Sequence, residues 1–397
     1  MNKIQLASAL VINLFFYMLG KIIPKRKSLW VFSAWFGQKY SDNPKAFFEF
    51  VNKHHGDRTQ AVWITKNPNI LTELQQKGYC AYHERSCKGI WHQLRASKAF
   101  ICQSLHDDLF SPCIGQSTEV VQLWHGIPLK KIMFDVFGGR ENQKNSMGRF
   151  IDWLSPYNKH RNDIVVATSE LTQNILAKAF RVPLNKVLTC GFPRNDVFFE
   201  HIEHIEHIEN EQFKCIYMPT FRGGMASECD LFEKYGFDIE QMEAELTKHN
   251  IKLTLRMHPV NKPPYQIVKQ IKNSKNIKLD AGNDIYQTIN QYDCLITDYS
   301  SIYFDFLLSN KPIVFAPFDL DLYKKRERAL YFEFEEVTLK PYCYSWNDIL
   351  NRLIMLKNNS KSIEYKKQYD YLKAKFHDKT HYDSSPFSNQ LYNELTK

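Results

Sequence analysis

Short apolar runs recur along the 397-residue chain, and segments of helix or loop length separate them. Many of these runs have no polar residue at alternate positions, as in Ile164-Val165-Val166-Ala167. Strands of this kind are typical of parallel sheets that helices cover on both faces. The alternation of these runs with segments of helix or loop length predicts an α/β fold built from doubly wound sheets. The runs are Leu29–Trp35, Ala61–Thr65, Lys98–Gln103, Val120–Trp124, Asp163–Thr168, Lys186–Cys190, Phe213–Met218, Ile251–Arg256, Ile277–Leu279, Asp293–Thr297 and Pro312–Pro317.

The length of the chain predicts two domains, since a domain commonly has about 100–200 residues. A tandem His-Ile-Glu repeat at 201–209 separates the sixth run from the seventh and is interpreted as the boundary. Its histidines offer no fixed metal-ligand geometry, because a three-residue repeat drifts around a helix, so a solvated linker is favoured. We predict an N-terminal segment over residues 1–27, an N-terminal domain over 28–200, a linker over 201–211 and a C-terminal domain with C-terminal helices over 212–397.

The first residues form a largely apolar stretch, Ile4 to Ile23, and the basic cluster Pro24-Lys25-Arg26-Lys27 follows it. A secretory signal carries its positive charge before the apolar stretch, so this is not a clean signal peptide. The marginal length of the stretch also argues against a membrane span. Two interpretations stay open: an amphipathic helix on an anionic membrane surface, or a first helix packed on the domain.

The formal net charge of +9 indicates an anionic partner, which could be nucleic acid, a phosphate-bearing substrate or an acidic membrane. No nucleic-acid-binding pattern is evident, so nucleic acid is not expected. The nine cysteines never have C-x-x-C spacing, which disfavours disulfides and zinc and favours a reducing compartment. The motifs G-x-x-x-x-G-K-S/T, G-x-G-x-x-G and H-E-x-x-H are absent, and neither a cofactor nor a metal is predicted.

One apolar strand ends in Thr297-Asp298-Tyr299-Ser300-Ser301, and the residues after it have the apolar spacing of a helix. Ser300 or Ser301 would stand at the N-cap, where unpaired backbone N–H groups and the helix dipole attract a phosphate. Ligands of open α/β sheets bind beyond the carboxyl ends of strands, where this turn lies. A plain serine cap explains the same pattern.

Two histidines also follow apolar strands. Arg256 and His258 lie on the same side of a strand by alternation, where they could clamp a diphosphate; a structural role is the alternative. A Gly-Ile-Pro turn exposes His125, which could take a proton from an attacking hydroxyl at neutral pH. Lys130 would add positive charge nearby, and a solvated loop lysine is equally consistent.

Two further turns combine proline, arginine and small polar side chains, which suits a polar cleft. They are Gly191-Phe192-Pro193-Arg194-Asn195-Asp196 and Met218-Pro219-Thr220-Phe221-Arg222-Gly223-Gly224.

Taken in order, these segments resemble the CDP-glycerol glycerophosphotransferase family. The resemblance implies a GT-B-like architecture of two facing Rossmann-like domains, an N-terminal acceptor domain and a C-terminal nucleotide-donor domain. It also implies CDP-glycerol as the donor substrate and no required metal. The matching segments are Trp124–Lys130, Gly191–Asp196, Pro219–Arg222, Arg256–Pro259 and Ile296–Phe306, with Phe318–Tyr323 and Tyr331–Glu336 after them.

By this resemblance, His125 is the expected general base towards the acceptor hydroxyl and His258 assists the diphosphate. The expected donor-binding residues are Thr220, Arg222, Arg256, Thr297, Asp298, Ser300 and Ser301. The expected residues on the acceptor side are Lys130, Arg194 and Asn195.

The resemblance therefore predicts an enzyme that moves glycerol phosphate from CDP-glycerol to a hydroxyl of a membrane-linked glycan or polymer and releases CMP. We expect a primase or linker-type enzyme of teichoic acid or capsule synthesis, cytoplasmic and peripheral on the inner face of the bacterial membrane. The alternatives are a GT-B glycosyltransferase that uses a sugar nucleotide, a CDP-ribitol-dependent ribitolphosphotransferase, and a basic scaffold without catalysis.

Overall fold

The architecture comes from a computed structural model that describes most of the chain. The predicted linker at 201–211 lies outside the described residues, as do Pro259, Gly223 and Gly224. The described residues are 3–137, 154–199, 212–222, 230–258, 261, 263–280, 282, 284–326, 329–358, 363–378 and 386–397.

Strands and α-helices alternate along most of the described chain. The strands are β1 Arg26–Phe32, β2 Gln60–Thr65, β3 Ala81–His83, β4 Ala96–Ile101, β5 Glu119–Gln122, β6 Ile164–Ala167, β7 Val187–Thr189, β8 Phe213–Met218, β9 Ile251–Leu255, β10 Ile277–Leu279, β11 Cys294–Thr297 and β12 Ile313–Phe315. The helices are α1 Lys3–Ile22, α2 Asp42–His55, α3 Pro68–Gln76, α4 Cys87–Arg95, α5 Leu105–Asp108, α6 Phe134–Phe137, α7 Glu170–Phe180, α8 Ile239–Lys248, α9 Tyr265–Ile271, α10 Ile302–Phe306, α11 Leu320–Arg326, α12 Trp346–Asn358, α13 Ile363–Phe376 and α14 Phe387–Thr396.

Several helices begin where a short polar side chain can cap them. Asn67 accepts from the Asn69 N–H at the start of α3, and Asp238 accepts from two N–H groups at the start of α8. Ser169 and Thr172 form a reciprocal capping box at the start of α7. These bonds satisfy backbone donors that have no partner within the helix, so the local sequence sets where the helices begin.

The strands form two parallel sheets. The first has seven strands in the order β3-β2-β1-β4-β5-β6-β7, and the second has five in the order β10-β9-β8-β11-β12. All their pairings are parallel. The predicted GT-B-like α/β class, with two doubly wound Rossmann-like sheets, is confirmed. Each of the eleven predicted runs overlaps a strand, whereas β3 was not predicted.

Burial explains why apolar runs predicted the strands so well. All four residues of β6 are buried, as continuous apolar strands require. The core of the second sheet includes Trp346, whose indole N–H donates to the Leu231 carbonyl at 2.7 Å. By contrast, β3 is a three-residue strand at the sheet edge and is only partly buried, so its sequence carries little apolar signal.

Each sheet has one point at which the strand order reverses. The reversal lies between β1 and β4 in the first sheet and between β8 and β11 in the second. The register pairs Phe32 with Phe100 across the first reversal and Met218 with Thr297 across the second. Ligands of doubly wound sheets bind at this position, outside the carboxyl ends of the strands.

The described chain divides into two compact units whose boundaries differ from the predicted ones. The first unit contains residues 1–125, 132–196 and 377–397, and the second contains 126–131 and 197–376. The predicted C-terminal domain therefore extends too far, because α14 belongs to the first unit.

The contacts of α14 explain this assignment. The N–H groups of Phe387 and Ser388 donate to the Asp196 carboxylate at 2.5 and 3.1 Å. Farther along the helix, the Tyr392 ring stacks on His55 at 3.6 Å. The start and the middle of α14 therefore contact residues of the first unit.

Helix α1 has one packed face and one exposed face. Phe16 contacts Phe110 with ring centroids 5.7 Å apart, and Lys25 Nζ donates to the Leu94 carbonyl at 2.5 Å. On the other face, Phe15 and Ile22 are 59% and 75% exposed. The packed face agrees with a first helix packed on the domain, and binding of the exposed apolar face to a membrane surface stays a prediction. Among the described residues, no helix combines the length and apolar character that crossing a membrane requires.

Candidate functional site

His125 lies in a tight turn just beyond β5 in the first unit. Trp124 has φ +54° and Gly126 has φ +144°. The backbone is therefore left-handed just before the histidine, and just after it the backbone has a conformation that favours glycine. A left-handed conformation is costly for a bulky residue and persists only where surrounding contacts enforce it. We call residues Leu123 to Gly126 the histidine turn.

The hydrogen bond of the His125 ring defines its tautomer. Nδ1 lies 2.8 Å from the Cys102 carbonyl oxygen, which can only accept, and 3.4 Å from Gln103 Nε2, and the shorter contact favours a proton on Nδ1. Nε2 then keeps its lone pair. Burial lowers the pKa of His125, and this effect outweighs the nearby Asp42 carboxylate, which raises it. The neutral imidazole is therefore favoured near pH 7, as a general base requires.

Arg194 and Asn195, which were predicted on the acceptor side, are both buried. Arg194 is 6% exposed and Asn195 is fully buried. Arg194 Nη1 donates to Asp42 Oδ1 at 2.7 Å and to the His125 carbonyl at 3.0 Å. Arg194 therefore contacts the histidine turn from inside the fold, and the acceptor-side role of the two residues stays a prediction.

A second strained segment adjoins His125. Trp35, Phe36 and Gly37 have φ values of +48°, +63° and +72°, and the Trp35 ring lies 5.2 Å from the His125 ring between centroids. The Phe36 N–H donates to Asp108 Oδ1 at 2.8 Å. The second oxygen of Asp108 accepts the N–H groups of Cys102 and Gln103 at 2.9 and 2.8 Å. One buried carboxylate thus joins the loops after β1 and β4, where the strand order reverses.

Burial raises the pKa of Asp108 to about 6, against three backbone N–H donors that lower it. Asp42, Asn43 and Asp108 were not among the predicted site residues. They belong to no motif, and only their proximity to His125 in the fold reveals them.

Asp298 organises the corresponding position in the second unit. Its Oδ1 accepts the N–H groups of Thr220 and Tyr299 at 2.7 and 2.5 Å, and its Oδ2 accepts from Arg222 at 2.7 Å. Thr297 Oγ1 donates to the Met218 carbonyl at 2.7 Å. Thr297 and Asp298 are both buried. Their described contacts join the carboxyl ends of β8 and β11, and the direct contact of these residues with a donor stays a prediction.

Arg222 is held by internal carboxylates. Its Nε lies 2.9 Å from Asp319 Oδ2, and its Nη1 donates to the Thr220 carbonyl at 2.7 Å. The Tyr299 hydroxyl donates to Asp319 Oδ1 at 3.1 Å. Asp319 was not among the predicted site residues, although it is the first of two closely spaced aspartates in the sequence Asp319-Leu320-Asp321. We call Thr220, Arg222, Asp298, Tyr299 and Asp319 the Asp298 cluster.

Three hydroxyl groups border this cluster. Ser301 occupies the N-cap position of α10, yet its side chain makes no capping hydrogen bond. Ser300 and Ser301 are partly buried. Thr220 Oγ1 is buried and has no hydrogen-bond partner among the described residues. The expected serine position is confirmed, but the plain serine cap that would have explained it is not formed.

Arg256 and His258 have different surroundings. Arg256 Nη1 lies 2.5 Å from Asp280 Oδ2, beyond β10. His258 is exposed, and its ring centroid lies 5.8 Å from that of Phe221, beyond β8. Since β10 and β8 flank β9 on opposite sides, the two side chains contact different neighbours, and the diphosphate clamp stays a prediction.

Lys130 belongs to the second unit, although it was predicted on the acceptor side. Its Nζ lies 4.8 Å from the centroid of the Tyr323 ring, which stacks on Tyr299 at 3.7 Å. The backbone around it pairs with residues 329–331. Lys130 is therefore associated with the Asp298 cluster. Within the described ranges, no group of three His, Cys, Asp or Glu side chains could hold a metal ion.

Comparison with known proteins gives a consistent result. The profile of the family described as CDP-glycerol:poly(glycerophosphate) glycerophosphotransferase matches residues 15–397. The chain is 29% identical to the teichoic acid glycerol-phosphate transferase of Staphylococcus aureus (strain NCTC 8325 / PS 47) over 334 residues, covering 81% of this chain and 82% of that one. It is 31% identical to the teichoic acid glycerol-phosphate primase of Bacillus subtilis (strain 168) over 251 residues, 62% of each protein.

A solved structure of the wall teichoic acid polymerase TagF with CDPG resembles the chain with a TM-score of 0.72. The alignment covers 97% of this chain and 93% of that one at 22% identity, which shows a shared fold. Since the family profile spans nearly the whole sequence, this chain belongs to the CDP-glycerol:poly(glycerophosphate) glycerophosphotransferase family.

Proposed function

We propose that this enzyme transfers glycerol phosphate from CDP-glycerol to a hydroxyl group of a membrane-linked teichoic acid or capsule acceptor, releasing CMP. Family membership supports the reaction class, and relatives named as glycerol-phosphate transferase and primase support glycerol phosphate as the group transferred. The observation that carries the mechanism is the 2.8 Å distance between His125 Nδ1 and the Cys102 carbonyl oxygen, which favours the tautomer in which Nε2 keeps its lone pair.

The proposed reaction is a single in-line displacement. The acceptor oxygen attacks the β-phosphorus of CDP-glycerol and forms the new P–O bond. The bond from this phosphorus to the oxygen that bridges the two phosphates breaks, and CMP leaves with that electron pair. His125 Nε2 takes the proton of the acceptor hydroxyl. Positioning and electrostatic stabilisation supply most of the catalysis in such a transfer.

On the donor side, we assign direct contacts to the hydroxyl groups of Ser300, Ser301 and Thr220. His258 is exposed and can donate a proton or a hydrogen bond to the departing phosphate. Arg222 and Asp298 are assigned the supporting role, because their described contacts are with each other and with the loops that carry these hydroxyls.

We also propose that the enzyme works on the inner face of the bacterial cell membrane, with α1 at the lipid surface. Phe15, Met18 and Ile22 are exposed on this helix, and Arg26 and Lys27 follow it on the exposed surface. An apolar face with a basic flank binds an anionic bilayer through both burial and charge.

The test of the base is His125→Ala, with CMP release measured on CDP-glycerol and two synthetic lipid-linked disaccharides, one without and one with a glycerol phosphate. We expect turnover to fall at least about 100-fold, as loss of a general base does, while CDP-glycerol binding measured by calorimetry is retained. His54→Ala, an exposed histidine of the same unit, is the control. Unchanged turnover of the His125 variant would exclude the base assignment.

The nature of the donor needs its own experiment. CDP-glycerol, CDP-ribitol and UDP-sugars are offered to the wild-type enzyme, and released nucleotide and product mass are measured. We expect CMP release and a mass gain of one glycerol phosphate from CDP-glycerol. Preference for CDP-ribitol or for a UDP-sugar would support the ribitolphosphotransferase or glycosyltransferase alternative instead.

A further inference from the structure

We propose that a buried ion pair, Asp42 with Arg194, positions His125 for proton transfer by holding the His125 carbonyl group in the histidine turn. The proposal rests on the proposed function of His125 as general base. Neither Asp42 nor Arg194 is assigned a contact with a substrate, so both are positioning residues.

The ion pair contacts the histidine turn directly. Arg194 Nη1 lies 2.7 Å from Asp42 Oδ1 and 3.0 Å from the His125 carbonyl oxygen. The two side chains are 5% and 8% exposed. A buried arginine needs both a counterion and hydrogen-bond acceptors, and here one of those acceptors is the backbone of the base itself.

The neighbouring residue Asn43 completes the support. Its Nδ2 donates to the carbonyl groups of Leu123 and Trp124 at 3.1 and 3.0 Å, and its Oδ1 accepts the Arg194 N–H at 3.2 Å. Three consecutive carbonyl groups, those of residues 123 to 125, are therefore bound by two side chains. Because these groups lie outside a strand or helix, the side chains take the place of regular backbone pairing.

This support coincides with the strained backbone. Trp124 has φ +54° at the centre of the bound segment, and Asp42 itself has φ +69°. Asp42 Oδ2 also accepts the Trp35 indole N–H at 3.1 Å, and the Trp35 ring borders that of His125. Strain at conformations of this kind persists only when several contacts act together, and it is concentrated at functional sites. The geometry thus links Asp42 to His125 from two sides.

The pair also sets the charge around the imidazole. The Asp42 carboxylate, at the start of α2, raises the pKa of His125, whereas the Arg194 guanidinium, from the turn after β7, lowers it. From the end of β4, Cys102 contributes its carbonyl, and the carboxylate of Asp108 is occupied with the N–H groups of Cys102 and Gln103. Removing one member of the pair at a time should therefore shift the titration of His125 in opposite directions.

The experiment compares Asp42→Asn and Arg194→Met in the full chain. Displacing a reacting group by about 1 Å costs on the order of 100-fold in rate, so kcat should fall by about 10- to 100-fold in both variants. The KM for CDP-glycerol should change little. The acid limb of the pH–kcat profile should move to lower pH in Asp42→Asn and to higher pH in Arg194→Met. If the ion pair had a purely structural role, the two variants would contain a smaller fraction of active enzyme, but the acid limbs of their pH–kcat profiles would not move apart.

Two further variants separate geometry from charge. Asn43→Ala removes two hydrogen bonds from the turn without changing any charge, so kcat should fall while the acid limb stays in place. The matched control is Asp57→Asn with Arg58→Met, an ion pair of the same unit in which both side chains are more than 70% exposed. The control should keep the wild-type kcat and pH profile.

A single variant that leaves one charge buried and unpaired could fail to fold. The double variant Asp42→Asn with Arg194→Met removes both charges, so it tests the positioning role without leaving an unpaired buried charge. A folded double variant with reduced kcat supports the proposal, and one with wild-type kcat overturns it. Active Asp42 and Arg194 variants beside an inactive His125→Ala overturn only the positioning role. An active His125→Ala overturns the base assignment and this proposal together.

Discussion

Replacement of Asp298 by Asn tests whether the Asp298 cluster holds the second unit together. The carboxylate accepts two backbone N–H groups through Oδ1 and the Arg222 guanidinium through Oδ2. An amide of the same shape keeps one acceptor oxygen, but its NH₂ group would face the Arg222 donor. The variant therefore loses one charge-assisted hydrogen bond and half of the charge that balances a buried arginine.

The size of the effect follows from these contacts. A hydrogen bond to a charged group contributes about 1.5–3 kcal/mol, and removal of one partner from a buried ion pair costs about 3–5 kcal/mol. Because Asp319 still binds Arg222, the lower end applies, and we expect a loss of about 3 kcal/mol in the free energy of unfolding. For a domain of this size that loss lowers Tm by about 6–12 °C.

Scanning calorimetry of the full chain measures the Tm, and urea unfolding followed by circular dichroism measures the free energy. The matched control is Asp348→Asn in the same unit, because Asp348 also accepts two backbone N–H groups, both at 3.0 Å, but is exposed. Its loss should stay below about 1 kcal/mol. A variant of Asp298 no less stable than this control would refute the reasoning.

Three further predictions concern the active site and the first helix. Burial lowers the pKa of His125 from 6.5 in the free enzyme, so the acid limb of kcat/KM in the wild type should lie below pH 6.5; a limb above pH 7 would contradict the neutral base. Burial raises the pKa of Asp108 from 3.8 to about 6, so its contribution to stability is greatest below pH 4 and is lost as the pH rises to 6. A rise of about two in the pKa corresponds to about 3 kcal/mol. The unfolding free energy of the wild type relative to Asp108→Asn should therefore fall by that amount between pH 4 and pH 7. If the difference in unfolding free energy between the two proteins does not vary with pH, the raised pKa of Asp108 is refuted. Phe15→Ser with Met18→Ser should weaken sedimentation with vesicles of anionic lipid at least about tenfold without lowering Tm, since both side chains are exposed; unchanged sedimentation would exclude this face of α1 as a membrane surface.

The strands were predictable because burial on both sheet faces leaves a continuous apolar signal in the sequence. The exception, β3, has only three residues and a partly exposed edge position. The serine turn was placed correctly at the start of α10 because strand and helix patterns meet there.

Side-chain direction was much less predictable. Arg194 and Arg222 follow apolar strands in polar turns, and this pattern is the same whether an arginine faces a phosphate or a buried carboxylate. The partners that decide between these cases are Asp42 for Arg194 and Asp298 for Arg222, at separations of 152 and 76 residues. A sequence pattern of short range does not contain that information.

The assignment of residues 377–397 to the first unit bears on the order in which the protein can fold during synthesis. Ribosomes release the chain from its N-terminus, so residues 197–376 emerge before α14 is available to pack against Asp196 and His55. The first unit therefore begins to emerge from the ribosome before the second unit, but its last residues emerge after the second unit is complete. Until then, the surface that α14 covers stays open to chaperones, and a nascent chain arrested before residue 377 should expose it to protease.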